Sequence, residues 1–163
     1  MSRIVTTVRI ECPPEVVFDY ATAPAYWPQW HPSSSLSVEM LPESARKQSL
    51  QVGGQVREWI AVEWRRDLLV WTVLEYERPS RWLISGRAGG GGSALITYEL
   101  EPVATARGIV TSFRRELVYT LPNFWLRLLD MPIIRWRLAW VSRRALRQLK
   151  AILEQRFSPR SAP

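Results

Sequence analysis

The sequence predicts an α+β domain in which a curved antiparallel sheet wraps around one long C-terminal helix. Three observations carry this. Over Ile133 to Arg156, the residues Ile134, Leu138, Val141, Ala145, Leu149 and Ile152 fall on one side of a helix, with the i, i+3, i+4, i+7 spacing of a buried apolar stripe. At about 1.5 Å per residue such a helix runs on the order of 35 Å, the width of a small domain. Nearly everything before it reads as strand, and a lone amphipathic helix needs a sheet to cover its apolar side. There is no internal repeat and no linker, so residues 1–157 are expected to form a single domain, with 158–163 as a flexible tail.

The elements follow in order. Arg3 to Glu11 alternates, with Ile4, Thr6, Val8 and Ile10 on one face, which predicts a first strand. Cys12-Pro13-Pro14 ends it, and proline suits the first turn of the short helix that follows, where Glu15 stands near the positive end. Pro24 and Pro28 bracket a second short helical turn, Ala25 to Trp30, which His31-Pro32 breaks. Ser33 to Met40 reads as a second strand and Leu41 to Gln51 as a polar loop, with Gly53-Gly54 as a turn. Val56 to Trp64 and Asp67 to Glu77 form a strand pair around Arg65-Arg66. Arg81 to Arg87, Ser93 to Glu101 and Ile109 to Thr120 complete seven strands, separated by turns at Pro79-Ser80, Gly89 to Gly92 and Pro102 to Gly108. Asn123 to Met131 is a connector between prolines, ahead of the long helix.

Composition narrows the function. No apolar run approaches the ~20 residues needed to span a bilayer, and MSRIVTTVRIE lacks the apolar block of a signal peptide. A cytoplasmic location is the default expectation. Cys12 is the only cysteine and His31 the only histidine. No internal disulfide, no thiolate metal cluster and no histidine-rich metal site can be built, and no cofactor is implied. The formal charge is +7. The arginines are spread along the chain with a concentration on the last helix, and no nucleic-acid-binding motif accompanies them, so a solvated basic face is expected and nucleic acid is not. The nine tryptophans can fill a core, line an apolar pocket or form a contact surface. The four glycines after Ala88 lead into alternating SALITYEL, which is a hairpin and not a strand-to-helix phosphate cradle.

The segments IECPPEVVFDYATAPAYWPQWHP, WTVLEYERPSRWLISG, ITYELEP and FRRELVY resemble the START-like, or SRPBCC, superfamily, in particular its polyketide cyclase/dehydrase-like subgroup. The resemblance runs from Ile4 to about Phe157. It implies a helix-grip fold: seven antiparallel strands curled around the terminal helix, two short helices after strand 1, and a cavity between sheet and helix. Its members include cyclases and lipid binders, so the fold does not by itself assign a function.

On that frame the residues divide into candidates. In the last strand Ile109, Thr111, Phe113, Leu117 and Tyr119 share a face with Arg115, which aims Arg115 at the interior. A cation there needs a partner, because burying it unpaired is costly. Glu58, which shares a face with Val56 and Ile60, Glu75, which shares one with Trp71 and Val73, and a ligand carboxylate or enolate are the candidates. His31 lies near one mouth of the cavity in the resembled fold and could move a proton, and Tyr119 or Tyr98 could orient a carbonyl. Candidate catalytic residues are therefore Arg115, His31 and Tyr119. Candidate ligand-binding residues are Trp30, Glu58, Ile60, Trp71, Val73, Tyr98, Phe113, Leu138 and Val141. Trp136 and Trp140 lie about half a turn from the apolar stripe and, with the 123–131 connector and Arg143 and Arg147, make a candidate contact surface. A homodimer is expected there ahead of a membrane, unless the connector folds back over it. The functional expectations are a binder of a hydrophobic lipid, isoprenoid or polyketide-like molecule, a cyclase or dehydratase acting on a poly-carbonyl substrate, or an interaction protein.

Overall fold

The structure, a computed structural model, describes residues 1–32, 50–62, 65–89, 91–106, 108–121 and 133–157, with the side chains of 60–67 excepted. Strand β1 (Ser2–Ile10) leads into helix α1 (Pro14–Thr22), a 3-10 turn (Pro24–Tyr26) and helix α2 (Trp27–Trp30). Strands β2 (Gln55–Val62), β3 (Arg65–Glu77), β4 (Arg81–Ala88), β5 (Ser93–Thr105) and β6 (Gly108–Thr120) follow, and helix α3 (Arg135–Phe157) closes the chain. The described strands form one antiparallel sheet of order β1-β6-β5-β4-β3-β2. Six strands, not seven, are present among the described residues; the strand expected over Ser33 to Met40 and the 123–131 connector lie outside them.

Local chemistry explains the boundaries. Pro14 occupies the first turn of α1, where its missing N–H costs nothing, and the Thr22 hydroxyl donates to the Phe18 carbonyl one turn back. Ala23 is extended because Pro24 follows it, which stops the helix. The expected β2–β3 turn at Arg65-Arg66 is displaced: Arg65 is already in β3, paired with Val62. The β5–β6 pair runs past Pro102 to Thr105 and Gly108, so most of the expected Pro102 to Gly108 turn is strand. Pro102 fits because it stands opposite Thr111 near the strand's end, and Gly108 closes the hairpin at φ +123°, a conformation open to glycine.

The period of two holds along β6: Thr111, Phe113, Arg115, Leu117 and Tyr119 are all buried, and the residues between them are half-buried. Ile109 departs from the expectation. It stands 59 % exposed, where β1 has already ended opposite Thr111 and the hairpin tip is paired with β5 alone. Inner-face rows run across the sheet in register, for example Val73, Ile84, Ile96, Leu117 and Ile4.

A bulge in β3 moves one expected residue. Val73 pairs with Ile84 and Glu75 with Leu83, so Leu74 is the extra residue and stands exposed. The slip turns Glu75 to the outer face, away from Trp71 and Val73. There Arg81 Nε donates to it at 2.6 Å, and the chain of ion pairs continues outside the sheet through Glu99, Arg114, Glu116 and Arg3.

Helix α3 packs chiefly on β1 and α2. Lys150 Nζ donates to the Arg9 carbonyl at 2.8 Å and the Glu11 amide donates to Glu154 at 2.8 Å, which fastens the C-terminal half of α3 to the end of β1. The line it buries is turned by about one residue from the expected stripe. Ser142, Ala145, Leu146, Leu149 and Leu153 are buried, Ile134, Leu138 and Ile152 are half-buried against the core, and Val141 stands half-exposed beside that line.

Candidate functional site

The interior beneath α1 and α2 is aromatic. Trp27 lies edge-on to Trp82 at 6.2 Å, Trp82 faces Tyr98 at 5.2 Å, Tyr98 meets Phe113 at 5.1 Å, and Trp30 stands 6.4 Å from Tyr98. The sheet dictates this cluster: Trp82 pairs with Tyr98, and Tyr98 with Arg115, in one inner-face row. Each buried indole has an N–H to satisfy. Trp27 donates to the Ala21 carbonyl at 3.0 Å, Trp82 to the Leu50 carbonyl at 3.3 Å and Trp71 to the Glu58 carboxylate at 2.6 Å. Trp30 Nε1 is buried with no acceptor among the described residues.

Arg115 ends that row. It is 4 % exposed. One guanidinium nitrogen donates to the Ser142 hydroxyl of α3 at 2.9 Å, another lies 3.5 Å from His31 Nε2, and Nε has no partner among the described residues. Among the described residues no carboxylate lies within ion-pairing distance of it. Glu75 is on the outer face with Arg81, and Glu58, though buried, receives Trp71. The contrast with the more exposed arginines is direct: Arg3, Arg78, Arg81 and Arg114 each hold a carboxylate, whereas the buried Arg115 holds a serine hydroxyl. Burying a guanidinium without a counter-ion is costly, and two orphaned donors, Arg115 Nε and Trp30 Nε1, border the same two residues, His31 and Tyr98.

His31 follows α2 directly, its amide donating to the Trp27 carbonyl at 2.8 Å, and its ring stands edge-on to Trp30 at 5.6 Å. Burial first, and the Arg115 charge second, push its pKa down to about 3, so the imidazole is neutral at neutral pH. In the tautomer protonated on Nδ1, Nε2 is an acceptor facing Arg115. Burial raises the Tyr98 phenol, and the Arg115 guanidinium and its hydrogen bond act against that rise.

The structure brings Arg115, His31, Tyr98, Trp30 and Phe113 together. Tyr119 is buried on the same face of β6 four residues along, opposite Ala94. Trp71, Glu58 and Val73 form a second inner group on β2 and β3. There the Trp71 indole lies flat across Gly86, where an added Cβ would stand 2.5 Å from the ring. Leu138 packs half-buried against the core. The side chain of Ile60 lies outside the described residues. Ser142 was not among the expected site residues. Its signal was positional: it falls four residues after Leu138 and three before Ala145, a lone hydroxyl inside an apolar stripe.

The model of the family described as polyketide cyclase / dehydrase and lipid transport matches residues 1–154. The chain belongs to this family. Solved structures place it among START-like proteins at the level of fold. A protein from Thermus thermophilus superposes with a TM-score of 0.73 at 16 % identity, covering 96 % of this chain and 100 % of that one. A START superfamily protein from Mycobacterium smegmatis gives 0.69 at 13 %, covering 94 % and 97 %. A protein from Rhodobacter sphaeroides gives 0.64 at 22 %, covering 94 % and 93 %. A comparison with curated protein sequences finds no significant match. Family membership makes this a hydrophobic ligand-binding fold, with the aromatic and cationic inner face just described as its candidate site. No described helix is long and apolar enough to cross a membrane, and no group of three metal-ligating side chains occurs among the described residues.

Proposed function

We propose that this protein binds an apolar small molecule, of lipid, isoprenoid or polyketide-like character, that carries an acidic or enolic oxygen. The apolar body sits between the inner face of the sheet and α3, and the oxygen meets Arg115. The observation that carries this reading is the buried guanidinium with a free Nε and no carboxylate partner among the described residues. A charged or enolic oxygen supplies the missing counter-ion, and Trp30 Nε1 offers a second donor. Trp30, Tyr98, Phe113 and Leu138 provide the apolar wall in this reading. The test is solvent extraction and mass spectrometry of gently purified protein, side by side with Arg115→Met. Recovery of an apolar acid or enol from the wild type, and its depletion from the variant, is expected. An empty wild-type extract, or equal recovery from both, counts against it.

His31 supports a second reading, a cyclase or dehydratase. With an enolic oxygen offsetting the Arg115 charge that lowers it, the His31 imidazole can take a proton from a carbon next to a carbonyl, while the electron pair moves to the enolate oxygen held by Arg115. Tyr119 would orient a further carbonyl of the same chain. Turnover of a poly-carbonyl substrate that is lost in both His31→Gln and Arg115→Met would distinguish this from simple binding.

A further inference from the structure

The N-terminal half of α3 carries features that the interior site does not use. Ile133, Trp136 and Trp140 are 53 %, 71 % and 48 % exposed, and they recur at the i, i+3, i+7 spacing of one helix line. Arg143, Arg144 and Arg147 continue that line, and Arg135 flanks it. All four are exposed, and none has a carboxylate partner among the described residues. Arg144 instead lies over the Trp140 ring at 5.4 Å. Trp140, Arg143, Arg144 and Arg147 border a shallow recess of about 210 Å³. Along α3 six arginines and Lys150 face a single acid, Glu154, which is engaged at the far end by Lys150 and the Glu11 amide. This one helix therefore carries nearly all of the chain's formal excess of +7.

We infer that this face docks on an anionic lipid bilayer surface. Charge complementarity selects the occupant. A second copy of the chain would bring two unpaired arginine clusters together, which like-charge repulsion opposes. Nucleic acid would satisfy the arginines but offers no medium for the exposed Ile133 beside the indoles. A bilayer interface satisfies both halves: indoles settle at headgroup level, and arginines attract acidic headgroups. The helix lies along the surface and does not cross it. This inference does not depend on the interior site, since Arg115 and Ser142 face the opposite side of α3.

Flotation with vesicles of phosphatidylcholine, alone or with roughly one-third phosphatidylserine, tests it. The full-length protein should float with the acidic vesicles, at least about tenfold more than with neutral ones, and about 0.5 M salt should release it. The triple variant Arg143→Gln, Arg144→Gln, Arg147→Gln should weaken binding about a hundredfold. Trp136→Ser with Trp140→Ser should weaken it and abolish the fluorescence blue shift on binding. These positions are exposed, so thermal melts of both variants should match the wild type. Failure to float with acidic vesicles, equal flotation with neutral ones, or full retention by the arginine variant overturns the proposal. So does a concentration-dependent dimer that Trp136→Glu abolishes, or tight binding to single-stranded RNA in protein that ignores vesicles.

Discussion

Replacing Arg115 with methionine should make the empty protein more stable while removing its function. The guanidinium is 4 % exposed, and its burial is offset by a hydrogen bond to Ser142 at 2.9 Å, a long contact to His31 at 3.5 Å and the neighbouring Tyr98 hydroxyl. Moving an ion out of water costs several kcal/mol even after relaxation, whereas a hydrogen bond to a charged group returns about 1.5–3 kcal/mol. Methionine keeps most of the stem's packing and deletes the charge. It leaves the Ser142 hydroxyl without its donor, at about 1 kcal/mol. The balance is a gain of about 1–2 kcal/mol, or a Tm higher by roughly 2–8 °C for a chain of this length. Thermal and urea unfolding of ligand-stripped protein at neutral pH measure it. Adding Ser142→Ala to Arg115→Met should stabilise further, while Ser142→Ala alone should destabilise, because it strips the guanidinium of its Ser142 acceptor. The sign reversal is the signature of a buried cation held for a ligand. A Tm that falls by several degrees in Arg115→Met would show that the guanidinium holds the fold together, and would refute the reasoning.

Three other residues give outcomes of their own. His31 is neutral in the fold with a pKa pushed down to about 3, against 6.5 when unfolded, so only the unfolded chain takes up the proton between those values. The His31 contribution to stability is therefore fully present above about pH 6.5 and is lost as pH falls towards 3; denaturant titrations should show this slope, and His31→Gln should flatten it. Gly86→Ala should cost about 1–3 kcal/mol by overpacking, since its Cβ would stand 2.5 Å from the Trp71 ring, and near-UV dichroism should report the displaced indole. Burial pushes the Cys12 thiol up to about 11, so it should resist alkylation at pH 8 until the protein unfolds, and rapid labelling of folded protein would contradict that.

Much of this architecture is legible in the sequence. The alternation in β6 is strict enough that Arg115 had to share a face with Phe113 and Leu117, and it does. The Pro-bounded segment placed His31 directly after a helical turn. What escaped the sequence depends on one-residue shifts. The bulge at Leu74 follows from how β3 pairs with β4, not from β3 alone, and it sends Glu75 outside, where Arg81 waits. Two neighbouring stripes on α3 are nearly equally apolar, and only packing against β1 and α2 selects the one that includes Ser142. Glu58 and Arg115 were plausible partners by charge, but Trp71 takes the carboxylate at 2.6 Å. Side-chain pairing across a curved sheet is a three-dimensional choice that a list of alternating residues does not contain.

The central claim is that an interior guanidinium waits for the oxygen of an apolar guest. The most direct measurement is calorimetric titration of ligand-stripped protein with 2-naphthoate and with its neutral alcohol, 2-naphthylmethanol, in the wild type and in Arg115→Met. The account predicts that the wild type favours the carboxylate by about ten- to a hundredfold, the worth of a charge-assisted hydrogen bond, and that Arg115→Met binds the two alike. Equal affinity of the wild type for both compounds, or a carboxylate preference that survives in Arg115→Met, would contradict it.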